Sequence, residues 1–78
     1  MNLREVLARN LRLLRNNRGL SQEALGDLAG FDRTYVSSLE RCKYSVSIDI
    51  IEKIANVLDV EPHILLQREL PGDLFKTD

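Results

Sequence analysis

A cluster of hydrogen-bonding side chains begins at residue 33, and its composition suits contact with the base edges of DNA. Arg33 carries a planar guanidinium whose paired N–H groups match the O6 and N7 acceptors of guanine, a pairing worth about 1–3 kcal/mol of discrimination between bases. Thr34 offers a hydroxyl to a base or its methyl group to thymine. For Arg33 the simpler alternative is an exposed arginine at the start of a helix. We expect base contacts from Arg33, Thr34, Tyr35, Ser37 and Ser38, although the two serines equally suit a plain solvent-facing position.

Two short helices joined by a tight turn must position these side chains. Ser21 and Asp32 each precede one of the helices, where a side-chain oxygen can accept a backbone N–H of the first turn. Gly30 lies between the helices, at a point where the left-handed backbone of a turn favours glycine. Gly26, one turn earlier, would allow the two helices to approach closely. These features predict a helix-turn-helix, a motif whose second helix enters the major groove of DNA.

The apolar periodicity predicts a compact all-α domain, a five-helix bundle over residues 1–70, followed by a loosely held tail over residues 71–78. Gly19 would end the first helix, Ser47 would cap the fourth, and Pro62 suits the first turn of the fifth. The helices are expected over residues 3–17, 22–29, 33–41, 48–58 and from 62 onward. The residues expected to face inward are Leu3, Leu7, Leu11, Leu14, Leu25, Leu28, Ala29, Val36, Leu39, Ile48, Ile51, Ile54, Ala55, Leu58, Ile64 and Leu65.

The composition argues against several classes of protein. Cys42 is the only cysteine and His63 the only histidine, and no GxSxG, HExxH or phosphate-cradling loop is present. We therefore expect no enzyme, metal, cofactor or small-molecule ligand. Apolar runs fall short of the ~18 residues of a membrane span, and arginines interrupt the N-terminal segment, so we expect a cytoplasmic protein without a membrane segment or signal peptide. Redox sensing by Cys42, beside Arg41 and Lys43, is an alternative to a plain free thiol.

Charge is distributed unevenly along the chain, although the net charge is only −1. Residues 1–45 contain eight basic and five acidic residues, whereas residues 46–78 contain three basic and seven acidic residues. Because the local charge decides attraction to phosphate more than the sum does, the first half is suited to binding DNA. The simpler alternative is that the first helix carries solvent-exposed arginines.

Several side chains around the two helices are candidates for contacts with DNA phosphates, which set register and affinity without reading the sequence. Some of them precede the fourth helix, and others come from the first helix or from the end of the third. The candidates are Arg12, Arg18, Arg41, Lys43, Tyr44, Ser45 and Ser47.

The segment GLSQEALGDLAGFDRTYVSSLER, followed by SIDIIEKIANVLDV, resembles the Xre/Cro-type helix-turn-helix regulators, which include phage repressors. The resemblance covers residues 7–66, implies a phage-repressor-like DNA-binding domain, and is carried by the glutamine that opens the second helix, Ala29-Gly30, Val36 and Leu39-Glu40-Arg41. Within the family, DRTY followed by S and ER looks most like the controller proteins of restriction–modification systems, which are dimeric regulators. The chain departs from the family pattern at Gly26, where alanine is usual, and at Val46, where proline usually precedes the fourth helix.

The resemblance implies roles for three further residues. The side chain of Gln22 and the adjacent backbone N–H would hold a phosphate at the start of the second helix, where the positive end of the helix dipole favours an anion. An exposed polar residue in a first turn is the alternative for Gln22. Arg15 and Glu40 would form a partly buried ion pair that links the first helix to the third, which is a structural role.

A homodimer is expected because one recognition helix reads only a few base pairs. Two copies would bind a palindromic operator in double-stranded DNA with half-sites about 34 Å apart, as a transcriptional regulator such as a restriction–modification controller. The alternative is an antitoxin or a protein-interaction module for which DNA binding is secondary. We expect the dimer interface in the acidic C-terminal half, formed by Ile50, Val57, Leu66 and Leu70, to which Phe75 could add. The alternative is that these residues merely complete the core of the monomer.

Overall fold

Four α-helices and two 3₁₀ helices make up the computed structural model, which describes residues 1–43 and 45–75. The predicted all-α class is confirmed, but the prediction of five helices is wrong. Among the described residues, no helix is both long and apolar enough to cross a membrane. The α-helices are α1 (Leu3–Asn17), α2 (Gln22–Ala29), α3 (Arg33–Glu40) and α4 (Ile48–Leu58), and the 3₁₀ helices span Pro62–Leu66 and Gly72–Phe75.

The segment expected to be a fifth helix forms only a five-residue 3₁₀ helix. Pro62 begins it, but no side chain caps its first turn, and the backbone is already extended at Gln67. The Gln67 N–H donates to the Ile64 carbonyl at 3.2 Å, which is the i→i+3 pattern of a 3₁₀ helix. Part of the expected tail, residues 72–75, forms the second 3₁₀ helix, whose Leu74 and Phe75 pack half-buried against the core. Residues 76–78 lie outside the described residues.

Side-chain caps fix where three of the helices begin, as the sequence predicted. Ser21, Asp32 and Ser47 each accept a first-turn backbone N–H, at 2.9, 3.0 and 3.2 Å. Glycine ends the helices before and within the motif: φ is 70° at Gly19 and 80° at Gly30, where residues with a side chain are strained. The predicted tight turn between α2 and α3 is therefore confirmed.

All four α-helices and the first 3₁₀ helix build the core. Of the residues predicted to face inward, Ala29 and Ile51 are only half-buried, and three others are exposed. Leu3, Leu28 and Ile48 are 52%, 64% and 82% exposed. Leu3 and Ile48 are the first residues of α1 and α4, where the helix extends past its packed part. The buried face of α2 is formed by Leu25 and Gly26. Because each residue turns an α-helix by about 100°, Leu28 points about 110° away from the centre of that face. The core residues are Leu7, Leu11, Leu14, Leu25, Val36, Leu39, Ile54, Ala55, Leu58, Ile64 and Leu65.

A buried amide ties α1 to the first 3₁₀ helix. Asn10 is 0% exposed, and its side-chain oxygen accepts from the guanidinium of Arg9 at 3.1 Å. Its nitrogen lies 3.2, 3.1 and 2.8 Å from the carbonyl oxygens of Ile64, Leu65 and Gln67. Asn10 is absent from the predicted functional and core residues, although its position four residues from Val6 and Leu14 places it on the buried face of α1. Its hydrogen bonds hold this stretch of backbone against α1, and an apolar residue at position 10 would leave the buried Leu65 carbonyl without this donor.

Candidate nucleic-acid interface

The exposed start of α3 is formed by Arg33 and Thr34. The side chain of Asp32 accepts the Thr34 N–H at 3.0 Å, which fixes the first turn of the helix. Tyr35 is half-buried, and its ring meets that of Phe31 edge-on, with centroids 5.4 Å apart and an interplanar angle of 75°. In a helix-turn-helix the N-terminal residues of the second helix reach the base edges first, and Arg33 and Thr34 are the exposed residues at that end of α3.

Ser38 does not share this surface with the other predicted base-contacting residues. It is only 8% exposed, and its hydroxyl donates to the Thr34 carbonyl at 2.9 Å, which contradicts a role at the bases. The chain that follows α3 returns beside it, since the Lys43 N–H donates to the Ser38 carbonyl at 3.0 Å. Ser37, by contrast, is half-buried and keeps part of its surface in solvent.

A buried ion pair joins α1 to the end of α3, as the family resemblance implied. Arg15 Nε lies 2.6 Å from Glu40 Oε2, and Arg15 Nη2 lies 3.0 Å from Glu40 Oε1. The third contact of the guanidinium is to the Leu20 carbonyl, at 2.8 Å from Nη1. The side chains are only 11% and 4% exposed, so both are fixed in place. The hydrogen bonds that Arg15 donates to Glu40 raise the pKa of Arg15 above its usual value, although burial acts in the opposite direction.

Gln22 connects this ion pair to the protein surface. Its Nε2 donates to Glu40 Oε1 at 3.2 Å, the oxygen that also accepts from Arg15. Gln22 lines a cleft together with Arg15, Ser21, Glu23 and Arg33. The first backbone N–H groups of α2 have no partner within the helix, and the positive end of its dipole lies there. The cleft therefore combines hydrogen-bond donors and a guanidinium, which suits a phosphate group.

The other predicted phosphate contacts differ in their surroundings. Ser45 accepts from Arg4 Nε and Nη2 at 3.1 and 2.6 Å, and Ser47 is engaged as the cap of α4. Arg4 is thus a further basic residue beside Ser45. It is not among the predicted phosphate contacts, because Ser45 lies 41 residues away in the sequence. Tyr44 lies outside the described residues. The basic members Arg12, Arg41 and Lys43 are exposed.

Arg18 is engaged elsewhere, which contradicts its predicted phosphate contact. Its Nε donates to the Leu58 carbonyl at 3.0 Å, and its Nη1 donates to the Leu74 carbonyl at 3.1 Å and to Asn17 Oδ1 at 2.6 Å. The last carbonyl groups of α4 have no partner within that helix, and a cation is favoured beside them. Arg18 therefore holds the end of α4 and the second 3₁₀ helix against α1.

The residues predicted for a dimer interface are half-buried and pack against the core. Leu66 lines a shallow groove with Leu3, Leu7 and Val46 among others. Leu70 lines a second groove, with Arg9, Leu13, Arg68, Glu69 and Phe75. Each therefore contributes to the monomer while keeping part of its surface exposed. Among the described residues, no group of three or more histidine, cysteine, aspartate and glutamate residues is placed to hold a metal ion.

Comparison with known proteins places this geometry in a family. The family model HTH_3, described as helix-turn-helix, matches residues 11–65, which include α2, α3 and α4. The chain belongs to this helix-turn-helix family. As an HTH_3 protein it is a DNA-binding regulator of transcription rather than an enzyme, and the predicted resemblance to Xre-type regulators is confirmed.

Relatives of this HTH_3 protein include controllers of restriction–modification systems. A hypothetical transcription factor of Neisseria meningitidis is 50% identical over 64 residues, 82% of this chain and 60% of the relative. Control protein C.SmaI of Serratia marcescens is 38% identical over 69 residues, 88% of this chain and 82% of the relative. The crystal structure of the restriction–modification controller protein C.AhdI from Aeromonas hydrophila matches with a TM-score of 0.77 and 45% identity, covering 80% of this chain and 94% of that one. The chain is thus homologous to controller proteins, while it spans 60% of the length of the Neisseria relative.

Proposed function

We propose that this HTH_3 protein binds a palindromic operator in double-stranded DNA as a homodimer, and that it controls transcription in a restriction–modification system. The observation that carries the proposal is the cleft in which Gln22 and Arg33 meet at the starts of α2 and α3. With α3 in the major groove, the start of α2 lies beside the DNA backbone, as in other helix-turn-helix proteins. The names of its relatives C.SmaI and C.AhdI support the more specific role of a controller.

Base reading is assigned to the exposed start of α3. Arg33 pairs with the O6 and N7 atoms of a guanine, and Thr34 contacts the adjacent base through its hydroxyl or methyl group. Tyr35 and Ser37 retain partial exposure and add contacts farther along the helix.

Phosphate binding is assigned to the start of α2 and to the segment that follows α3. Gln22 and the first backbone N–H groups of α2 hold one phosphate. These contacts set the orientation of α3 and contribute affinity without sequence preference. The remaining phosphate-binding residues are Arg12, Arg41, Lys43, Tyr44, Ser45 and Ser47.

Dimerisation is assigned to the C-terminal half, through Ile50, Val57, Leu66 and Leu70. All four are apolar and partly exposed, which suits a self-complementary surface on a two-fold axis. The acidic charge of residues 46–78 keeps this half away from phosphate, while the basic half faces the DNA.

Selection of binding sites from a random DNA pool tests the function directly. We expect an enriched palindrome with half-sites about 34 Å apart or a multiple of this. At fixed salt, Arg33→Ala should weaken operator binding by about 1–3 kcal/mol per half-site and relax the preference at one position in each half-site. Arg68→Ala removes the same charge from an exposed site in the acidic half and serves as the matched control. Because Arg68 lines the groove of Leu70, sedimentation must first show that this variant has the same oligomeric state as the wild type. A protein-interaction module without DNA specificity would enrich no motif and would not respond to Arg33→Ala.

Two further measurements test the assembly and the regulatory role. Sedimentation across micromolar concentrations should give a dimer, and Leu66→Lys should shift it towards monomer without loss of helical signal. A monomer throughout this range would contradict the dimer. For the controller role, the selected motif should occur upstream of restriction–modification genes in the source genome, and its absence from such positions would contradict that role.

A further inference from the structure

The amide of Gln22 is held by a carboxylate that is itself immobile. Glu40 is 7% exposed, and both of its oxygens are engaged by the guanidinium of Arg15. Arg15 is fixed in turn by the Leu20 carbonyl at the turn between α1 and α2. The contact between Gln22 Nε2 and Glu40 Oε1 therefore ends on a rigid, buried support.

The chemistry of this contact sets the orientation of the Gln22 amide. An ionised carboxylate only accepts hydrogen bonds, so the nitrogen of Gln22, and not its oxygen, must face Glu40. One N–H of that nitrogen is used on Glu40, and the second remains for a ligand. Long flexible side chains such as glutamine lose much rotamer freedom when a ligand orders them, and here Glu40 has already restricted the side chain before DNA arrives.

We propose that Glu40 is a positioning residue for DNA binding, in which the buried Arg15–Glu40 pair aims the Gln22 amide at a DNA phosphate. This inference rests on the proposed function, because it assigns the same phosphate to Gln22. The ion pair then has a second role beyond joining α1 to α3. Its carboxylate links the protein core to the backbone contact that orients the recognition helix.

Paired variants separate this role from a purely structural one. Removing one partner of a buried ion pair is strongly destabilising, whereas replacing both with apolar residues of similar volume is often neutral. We therefore compare two double variants, Arg15→Met/Glu40→Met and Arg15→Met/Glu40→Gln. In the first, residue 40 has no polar atom beside Gln22, whereas in the second it keeps an amide with an acceptor oxygen. Both pairs keep the net charge of the wild type, because each removes one positive and one negative charge. Thermal unfolding of each variant identifies the temperatures at which the protein is fully folded.

Affinity for the selected operator is measured on these backgrounds with and without Gln22→Ala. In the wild type we expect Gln22→Ala to weaken binding about three- to tenfold, as for the loss of one hydrogen bond. In Arg15→Met/Glu40→Met the affinity should already be lower by a similar factor, and Gln22→Ala should add nothing. In Arg15→Met/Glu40→Gln the effect of Gln22→Ala should return in part, because an acceptor oxygen again holds the amide nitrogen. The slope of log affinity against log salt should not change with Gln22→Ala, since no charge is removed.

Three outcomes overturn the inference. One is an equal effect of Gln22→Ala in the wild type and in Arg15→Met/Glu40→Met. Another is full operator affinity in folded Arg15→Met/Glu40→Met. The third is a Gln22→Ala substitution that leaves operator affinity unchanged, which would remove Gln22 from the phosphate contacts but leave operator recognition by α3 intact. Failure of the proposed function is distinguishable, because the wild type would then select no motif.

Discussion

Gly26 in α2 and Phe31 in the turn between α2 and α3 lie in direct backbone contact. The Phe31 N–H donates to the Gly26 carbonyl at 2.7 Å, and a Cβ built on Gly26 would lie 2.5 Å from the Phe31 carbonyl oxygen. Real Cβ atoms essentially never approach another atom so closely. Glycine at this position therefore allows the backbone between α2 and α3 to pass directly over α2, and the relative placement of the two helices depends on it.

Gly26→Ala is expected to destabilise the fold in spite of the better helix propensity of alanine. Propensity would favour alanine by about 1 kcal/mol, but the methyl group must displace a backbone carbonyl, and such overpacking destabilises by about 1–3 kcal/mol. Urea unfolding should show a lower midpoint with an unchanged slope. Gly72→Ala is the matched control, because nothing lies within 4 Å of its added Cβ. A Gly26→Ala protein more stable than the wild type would show that the two helices can separate freely.

Asn10→Ala is expected to be among the more destabilising single substitutions. It removes the donor that lies 2.8–3.2 Å from three carbonyl oxygens. The Ile64 carbonyl still accepts from the Gln67 N–H, and the Gln67 carbonyl still accepts from Arg9, so the main loss is at the buried Leu65 carbonyl, where a missing partner is destabilising by about 1–3 kcal/mol. Chemical unfolding measures the decrease in stability, and hydrogen exchange should show faster opening of residues 64–67. Asn16→Ala, at an exposed position of the same helix, is the control and should change stability by less than about 0.5 kcal/mol. Equal effects of the two substitutions would contradict the role of the buried amide.

Substitution of Arg18 is expected to reduce stability, whereas substitution of Arg12 is expected to reduce DNA binding. Arg18→Ala should lower the free energy of unfolding, since it frees the carbonyl groups of Leu58 and Leu74, while the salt dependence of operator binding stays unchanged. Arg12 is exposed, so Arg12→Ala should leave stability nearly unchanged and reduce the slope of log affinity against log salt by about 0.9 for each phosphate that is no longer neutralised. Titrations at four or more salt concentrations measure both slopes. A reduced slope for Arg18→Ala would return this residue to the phosphate-binding set.

The Arg15–Glu40 pair is expected to stabilise the fold without a contribution of Arg15 to pH dependence near neutrality. The pKa of Arg15 is raised by its hydrogen bond to Glu40. A raised folded-state pKa stabilises the protein at all pH values below the unfolded-state pKa of arginine, which lies far above neutrality, and that stabilisation is lost only as the pH rises through the folded-state value. Arg15→Ala should destabilise by about 3–5 kcal/mol, because a buried carboxylate is left unpaired. Urea unfolding between about pH 7 and pH 10 should show a nearly constant difference from the wild type, and a difference that disappears at about pH 10 would contradict this.

Local rules were sufficient to predict the ends of the helices and the turn. The side chains of Ser21, Asp32 and Ser47 can reach only the first turn of the helix that follows, so their hydrogen bonds depend on a few neighbouring residues. Gly30 adopts the left-handed backbone conformation with which glycine commonly ends a helix. The polar set around α3 was less predictable, because exposure depends on what packs beside the helix. Ser38 is buried whereas the neighbouring Ser37 is half-buried, and the chain that follows α3 returns beside Ser38, where the Lys43 N–H donates to its carbonyl.

The sequence by itself determined the all-α class, the helix-turn-helix and the family, because helix periodicity, capping and glycine turns are encoded within a few residues of one another. The tertiary structure decided which polar residues serve the surface and which serve the core. Asn10 and Arg18 cannot be distinguished in the sequence from solvent-facing residues, yet the backbone carbonyl groups that they contact lie 40 to 57 residues away. Such partners meet only after the helices pack, since hydrogen bonds and ion pairs act over a few ångströms. The role of Gln22 likewise depends on Glu40, which only the folded chain brings beside it.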